Sequence, residues 1–233
     1  MKFLYSLGGG NIPVIKEFDI GSNTKFEIGK VVRCNSDGTI GHKCVGGCIG
    51  VVAEEHTGEK DILNERSNGN KLRIDITKNA VYSVPAMKVT ATAGSTTTLV
   101  CSSAGIASSL SGATVVLVRK GENSENTDLV GSERRVETVA VSAGNATFTI
   151  NNGAKICVGD VYAIFPVYGY KGVVADDGKN FAAACSDVVT NLYVVNHDKK
   201  QLTLEVMLEK NFIILLFRNY YLLLNCNLLF GNR

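Results

Sequence analysis

Residues 113–166 read ATVVLVRKGENSENTDLVGSERRVETVAVSAGNATFTINNGAKICVGDVYAIFP, and this stretch decides the fold. Thr114-Val115-Val116-Leu117-Val118 is a β-branched run set between Gly112 and Lys120-Gly121. A polar excursion, Glu122 to Gly131, separates it from a second run, Arg135 to Val141. Ser142 to Asn145 supplies a Gly-Asn turn into Ala146-Thr147-Phe148-Thr149-Ile150, and Asn151-Asn152-Gly153 is a further turn before Val161 to Phe165. Short strands separated by Asn and Gly are the mark of an antiparallel sandwich or barrel. No 3.6-residue period runs through the stretch. The expected fold is all-β.

Upstream, residues 11–86 read as a first unit, a small β-barrel. Ile12 to Phe18 is a strand entered through Pro13, which suits a sheet edge. Lys30 to Cys34 is a strand, and Asn35-Ser36-Asp37-Gly38 a turn. Val45 to Val52 is apolar and laced with glycine, and Leu72-Arg73-Ile74-Asp75-Ile76 alternates, so one of its faces is buried. Val81 to Pro85 closes the unit, and Ala86 to Ala93 reads as a link. Residues 94–210 form the second unit, an antiparallel sandwich or barrel-like domain. Its last pair, Leu192 to Val195 and Gln201 to Leu208, flanks the turn Asn196-His197-Asp198, where His197 is expected in solvent.

The two ends differ from the body. Residues 1–10 carry an apolar cluster too short for a signal sequence, then Gly8-Gly9-Gly10, and read as a flexible arm. Residues 211–233 are an apolar tail interrupted by Arg218, Asn219, Asn225 and Asn227. A membrane span needs about 20 apolar residues, and a central arginine costs about 2.5–3.5 kcal/mol on insertion scales. The tail is therefore expected to bury against the body or a neighbouring subunit, and no membrane partner is expected.

Hydrophobic residues make up 45% of the 233 and charged residues 20%, enough to build a core. A net charge of +2 gives no basic field for a polyanion, so no direct nucleic-acid partner is expected. The absence of Trp argues against stacking platforms. Seven cysteines, an odd number at irregular spacing, fit buried thiols in a reducing compartment better than a disulfide framework.

No phosphate-binding glycine loop, zinc-protease helix or nucleophile elbow occurs. The one constellation with metal-ligand chemistry is Cys34, His42, Cys44 and Cys48. Its spacing matches no pair of Cys-x-x-Cys knuckles, and Cys48 lies in the apolar run Gly47-Cys48-Ile49-Gly50, so packed thiols are expected. Asp176-Asp177 precedes Gly178 and reads as a turn. Asn145-Ala146-Thr147 is a glycosylation sequon lying in a turn. Arg134-Arg135, between Glu133 and Glu137, reads as a charged strand edge, either a site for an acidic partner or a solvated face of alternating signs. No catalytic residue and no cofactor are expected, and the protein reads as non-enzymatic.

Some of these residues carry a likeness. Gly29-Lys30-Val31-Val32, then Gly46-Gly47-Cys48-Ile49-Gly50-Val51-Val52-Ala53-Glu54, then Ile74-Asp75-Ile76 through Val84-Pro85-Ala86, resemble the small barrel of tailed-phage capsid decoration (cement) proteins. Gly94-Ser95-Thr96-Thr97-Thr98-Leu99, Gly131 to Val136 and Gly159-Asp160-Val161-Tyr162 are similar to stretches of phage structural proteins, and the resemblance spans residues 11–210. It implies a virion protein on the capsid exterior, present in the host cytoplasm during assembly. Such a protein binds the major capsid protein lattice as a homotrimer and bridges capsomers. The arm, with Gly8, Gly9, Gly10, Ile12 and Pro13, would then extend along the shell by strand addition. Two other readings compete: another virion component (tail, neck or fibre-attachment module), or a cell-surface or carbohydrate-binding β-sandwich.

Overall fold

A computed structural model describes residues 1–7, 12–20, 25–35, 39–41, 48–55, 71–175, 177–185 and 190–209. The described residues are all-β, with several antiparallel sheets and a single short 3-10 turn at Ser108–Leu110. The first strands are β1 (Lys2–Ser6), β2 (Ile15–Asp19), β3 (Val31–Cys34), β4 (Ile40–Gly41), β5 (Gly50–Val52), β6 (Lys71–Asp75) and β7 (Ala80–Pro85). Next come β8 (Met87–Thr90), β9 (Ala93–Gly94), β10 (Thr98–Ser102), β11 (Thr114–Arg119), β12 (Glu133–Ser142), β13 (Asn145–Ile150) and β14 (Val161–Phe165). The last are β15 (Lys171–Val174), β16 (Phe181–Ala182), β17 (Asn191–Asp198) and β18 (Thr203–Leu208).

The first sheet to close is β2-β6-β5-β3-β4. A parallel bridge between Ile20 and Ile40 joins its two edges and makes a small barrel. Alternation separates its faces: Val32, Val52, Leu72 and Ile74 fill the barrel with Ile20, Phe26 and Ile40. Val31 and Val51, one residue out of phase, point outward and join a larger cluster containing Ala80 and Tyr82. Each fully buried side chain of this size is worth about 1.5–3 kcal/mol.

The second closure involves β8-β14-β11-β12-β13-β10-β9. Ala91 N–H donates to Asp160 O at 2.8 Å, on the β14 side, and the neighbouring Thr92 N–H donates to Val100 O at 2.8 Å, on the β10 side. Consecutive residues of one strand thus bond to opposite edges, and the sheet becomes a barrel. The segment that composition marks as a link is this barrel's closing strand. Between β12 and β13, Ala143 and Gly144 both take positive φ, 48° and 81°, as a two-residue hairpin loop of right-handed twist requires.

The third sheet, β1-β7-β18-β17-β15-β16, takes strands from the start, middle and end of the chain. β18 lies between β7 and β17, in register from Thr203↔Pro85 to Met207↔Val81. The expected division into units 11–86 and 94–210 therefore does not follow the hydrogen bonding, because strands from both sides of it share this sheet. One apolar cluster runs from Val31 through Phe148 to Leu208. The N-terminal segment also departs from expectation. Met1–Leu7 is no free arm, since β1 pairs with β7 from Lys2↔Ser83 to Ser6↔Ala80. Gly8, Gly9 and Gly10 lie outside the described residues, as do Asp176 and the tail 211–233.

The polar excursion is pinned from within. Asp160 is fully buried and accepts from Gly121 N–H (2.9 Å), Cys157 N–H (3.1 Å) and Asn126 Nδ2 (2.9 Å). Asn126 Nδ2 also donates to Tyr162 Oη at 3.0 Å. Burial opposes ionisation of Asp160, but hydrogen bonds from Ser124, Gly121, Asn126 and Cys157 outweigh it and hold the carboxyl below its ordinary value. Arg134 is likewise no solvated edge. It is buried, pairs with Asp128, and donates to Ala154 O and, at 3.3 Å, to Thr96 O. Arg135 does face outward.

Two outcomes follow. Asp160 contributes stability above about pH 4, where the unfolded carboxyl is ionised, and that contribution is lost as pH falls through its lower folded value. Asp160→Asn should flatten the acid limb of a thermal-melting profile; a limb identical to wild type refutes the assignment. Arg134→Ala should cost about 2–3 kcal/mol, the loss of charge-assisted bonds to buried carbonyls and a carboxylate. A urea midpoint unchanged from wild type would show that the arginine does not staple the loop.

Candidate functional site

Ile12, Val14 and Ile28 are exposed apolar residues of the N-terminal region, at 83%, 51% and 60% exposure. Beside them opens a recess of about 550 Å³. Pro13, Ile15 and Ile28 form its rim, Lys2 and Phe3 of β1 one wall, and Val51, Asp75 and Tyr82 its inner lining. Of the residues expected to meet a partner, Pro13 lies on this rim, and Ile12, next to it in the chain, is exposed.

A buried carboxylate positions the rim. Asp75 ends β6 and is 4% exposed. Its Oδ1 accepts from Thr77 N–H at 2.9 Å and from the Thr77 hydroxyl, and its Oδ2 accepts from Tyr82 Oη at 3.0 Å. The Thr77 hydroxyl oxygen in turn accepts from Val14 N–H at 2.7 Å. Ile76 N–H donates to Val14 O at 2.9 Å, so both polar groups of the Val14 backbone are tied to the barrel. Such a relay places the Ile12–Val14 segment without burying its side chains. Burial and then the Asp75 charge push the Tyr82 phenol far above its ordinary range, which keeps it a donor. Phe3 meets the Tyr82 ring edge-on, with centroids 6.1 Å apart.

Ile28 sits on a tight turn. Gly29 has φ of 82°, and a Cβ there would lie 2.6 Å from Met1 N, which donates to Gly29 O at 2.9 Å. Only glycine admits β1 so close to the turn. The turn is anchored on both sides, by Gly29 N–H to Val52 O at 2.9 Å and by Val31 N–H to Gly178 O at 2.9 Å. An Arg73–Glu54 ion pair at 3.3 Å stands at the recess margin, where exposure limits its worth to about 0–1 kcal/mol. Tyr5 donates to Glu205 Oε2 at 2.8 Å and thereby ties β1 across β7 to β18.

Of the metal-type constellation, only Cys34 and Cys48 are among the described residues. Cys48 is packed in the large cluster and Cys34 against the small barrel's interior, while His42 and Cys44 lie outside the described residues. Among the described residues, no three His, Cys, Asp or Glu side chains are placed to hold a metal ion. Cys34, Cys101 and Cys157 carry free thiols, and burial pushes Cys101 up to about 11. Asp177 makes the expected turn. It accepts from Lys179 and Asn180 N–H at 2.8 and 2.9 Å, and these bonds outweigh the opposing effect of burial to keep its carboxyl below the ordinary value.

His197 differs from expectation. It lies inside β17, its ring stacked on Tyr168 at 4.4 Å with Phe165 edge-on at 5.7 Å, and its Nε2 is 2.9 Å from Pro166 O. The hairpin is present, but its turn falls after Asp198, because a bulge between Val194 and Asn196 lengthens β17. Tyr168 remains 64% exposed and makes an aromatic face that no local motif announces. No helix among the described residues is long and apolar enough to cross a membrane.

Thr77→Val should remove the relay while keeping the volume, at about 1–3 kcal/mol. Hydrogen exchange of the Val14 amide should accelerate more than that of Leu72 inside the barrel. Unchanged Val14 protection would mean that Asp75 does not organise this surface.

No family model, curated protein or solved structure matches the chain.

Proposed function

We propose that the chain is a non-enzymatic structural protein of a tailed-phage virion, a cement protein that binds the outside of the capsid and bridges capsomers as a homotrimer. The observation that carries this reading is the apolar rim of Pro13, Ile15 and Ile28, where the Asp75–Thr77 relay fixes the backbone at Val14. A clamp requires area and fixed geometry and no pKa-tuned group. Specific interfaces bury about 1,200–2,000 Å², and contacts joined in one oligomer add avidity without new chemistry. Because β1 is committed to β7, the contact surface is assigned to Ile12 and Pro13 with Ile28 and not to a free arm from residue 1. The resemblance in the residues around Gly29, Gly50 and Pro85 supports the same reading.

A second reading, a carbohydrate-binding surface module, is favoured by the exposed Tyr168 ring stacked on His197. Cosedimentation with assembled capsid shells and with dissociated subunits separates the two. The cement reading expects binding to shells alone, weakened about tenfold or more by Ile12→Asp with Ile28→Asp, roughly the loss of two buried apolar contacts. Tyr168→Ala should leave shell binding intact. Equal binding to shells and subunits, or indifference to the double substitution in a chain that still melts normally, sinks it. Capture on a glycan array lost with Tyr168→Ala would establish the second reading instead.

A further inference from the structure

The mouth of the second barrel holds an unfinished strand edge. In an antiparallel pair, successive residues alternate between those that exchange hydrogen bonds with the partner and those that face away. Ala91 bonds toward β14, through its N–H to Asp160 O and through Gly159 N–H to its carbonyl, both at 2.8 Å. The register Thr90↔Val161, Val89↔Tyr162, Lys88↔Ala163 then places Val89 and Met87 on the bonded side. The N–H and C=O of Lys88 and Thr90 point away from β14. Thr92, next in that series, reaches Val100 O across the closure. No hydrogen-bond partner of Lys88 or Thr90 is present among the described residues.

A lysine on an edge strand ordinarily keeps the edge from pairing with other chains. This edge, however, borders an open cleft of about 680 Å³ along Met87, Lys88 and Val89. Ala104, Gly105, Ile106, Phe181 and Ala182 form the opposite side. That side is already satisfied, since Gly105 O accepts from Ala183 and Ala184 N–H at 2.8 and 3.2 Å. The cleft thus sets main-chain groups that are unpaired among the described residues opposite the apolar side chains of Ile106, Phe181 and Ala182, with Asp177 and Asn180 also in its lining. Strand addition uses this arrangement: main-chain bonds hold the guest, and alternate side chains select it.

We propose that β8 accepts an extended peptide segment of another protein as an added antiparallel strand. Side-chain alternation specifies its chemistry. Val89 is buried while Lys88 and Thr90 are exposed, so the guest residue opposite Val89 is apolar and enters the cleft toward Ile106 and Phe181. The residue opposite Lys88 lies on the outer face, where a carboxylate complements the ammonium group. The site does not depend on the capsid reading and lies apart from the Ile12–Ile28 surface.

The probe is acetyl-Thr-Val-Glu-Val-Thr-amide, titrated into the nitrogen-15-labelled full chain. Saturable shifts at the Lys88 and Thr90 amides are expected. Methylating the peptide nitrogens that face β8 should weaken binding about tenfold, the loss of one or two main-chain bonds. Lys88→Pro removes the facing donor without taking a bond from the β14 ladder, and should weaken binding similarly. Should that variant melt early, a charge swap carries the test: Lys88→Glu should lose the probe and bind its Glu-to-Lys counterpart. Absence of saturable shifts, equal binding of the methylated peptide, indifference to the charge swap, or shifts centred on Ile12 and Ile28 would each overturn the proposal.

Discussion

The pairing of β18 with β7 holds the molecule together. Without it β7 would present a bare edge on the side away from β1, and β15, β16 and β17 would no longer belong to one sheet with β1 and β7. The insertion also closes the core. Leu204, Val206 and Leu208 alternate inward from β18 and join the cluster that holds Tyr82, Val31 and the barrel residues Phe148 and Ile164. Buried apolar area of this kind is the dominant favourable contribution to folding. Here it becomes available only when chain segments more than a hundred residues apart in sequence lie side by side.

Around this apolar frame two buried carboxylates do similar jobs. Asp75 and Asp160 each sit where a strand meets a loop: Asp75 accepts from Thr77 N–H and from the Thr77 and Tyr82 hydroxyls, Asp160 from two main-chain N–H groups and the Asn126 amide. A buried carboxylate without partners would be prohibitive, while one that accepts several bonds fixes the conformation of everything that donates to it. Asp75 thereby presents Val14 with its neighbours, and Asp160 folds the excursion of residues 121–131 back onto β14. The candidate contact surface therefore owes its shape to a group that is itself out of reach of any partner.

Most strands were legible because alternation and β-branched runs are local signals. Thr114 to Val118, Ala146 to Ile150 and Leu72 to Ile76 each report their own pleat, and the turns at Gly144 and Gly178 report their own backbone. What the sequence hid is non-local. Nothing near Met87 to Gly94 distinguishes a linker from a closing strand, because the distinction lies in Asp160 and Val100. Arg134 and Asn126 look solvated, since their partners Ala154, Thr96 and Tyr162 are distant in the chain. Lys2 to Ser6 reads as an arm because its partner is β7. Of the candidate site, Ile12 and Pro13 were visible as an apolar entry to a strand, whereas the Thr77 relay and Ile28 needed the folded barrel to become neighbours.

The order β1-β7-β18 has a mechanical meaning. Lys2 stands at the Ser83 end of β7, and Leu208 runs out at its Ala80 end. A pull that separates those two points acts along the strands, so each ladder is loaded in shear and its hydrogen bonds resist together. A pull across the strands would open them one at a time. The stiff axis of the molecule is therefore the direction of β7, and tension carried along it is shared by two ladders and by the Tyr5–Glu205 bond that crosses both.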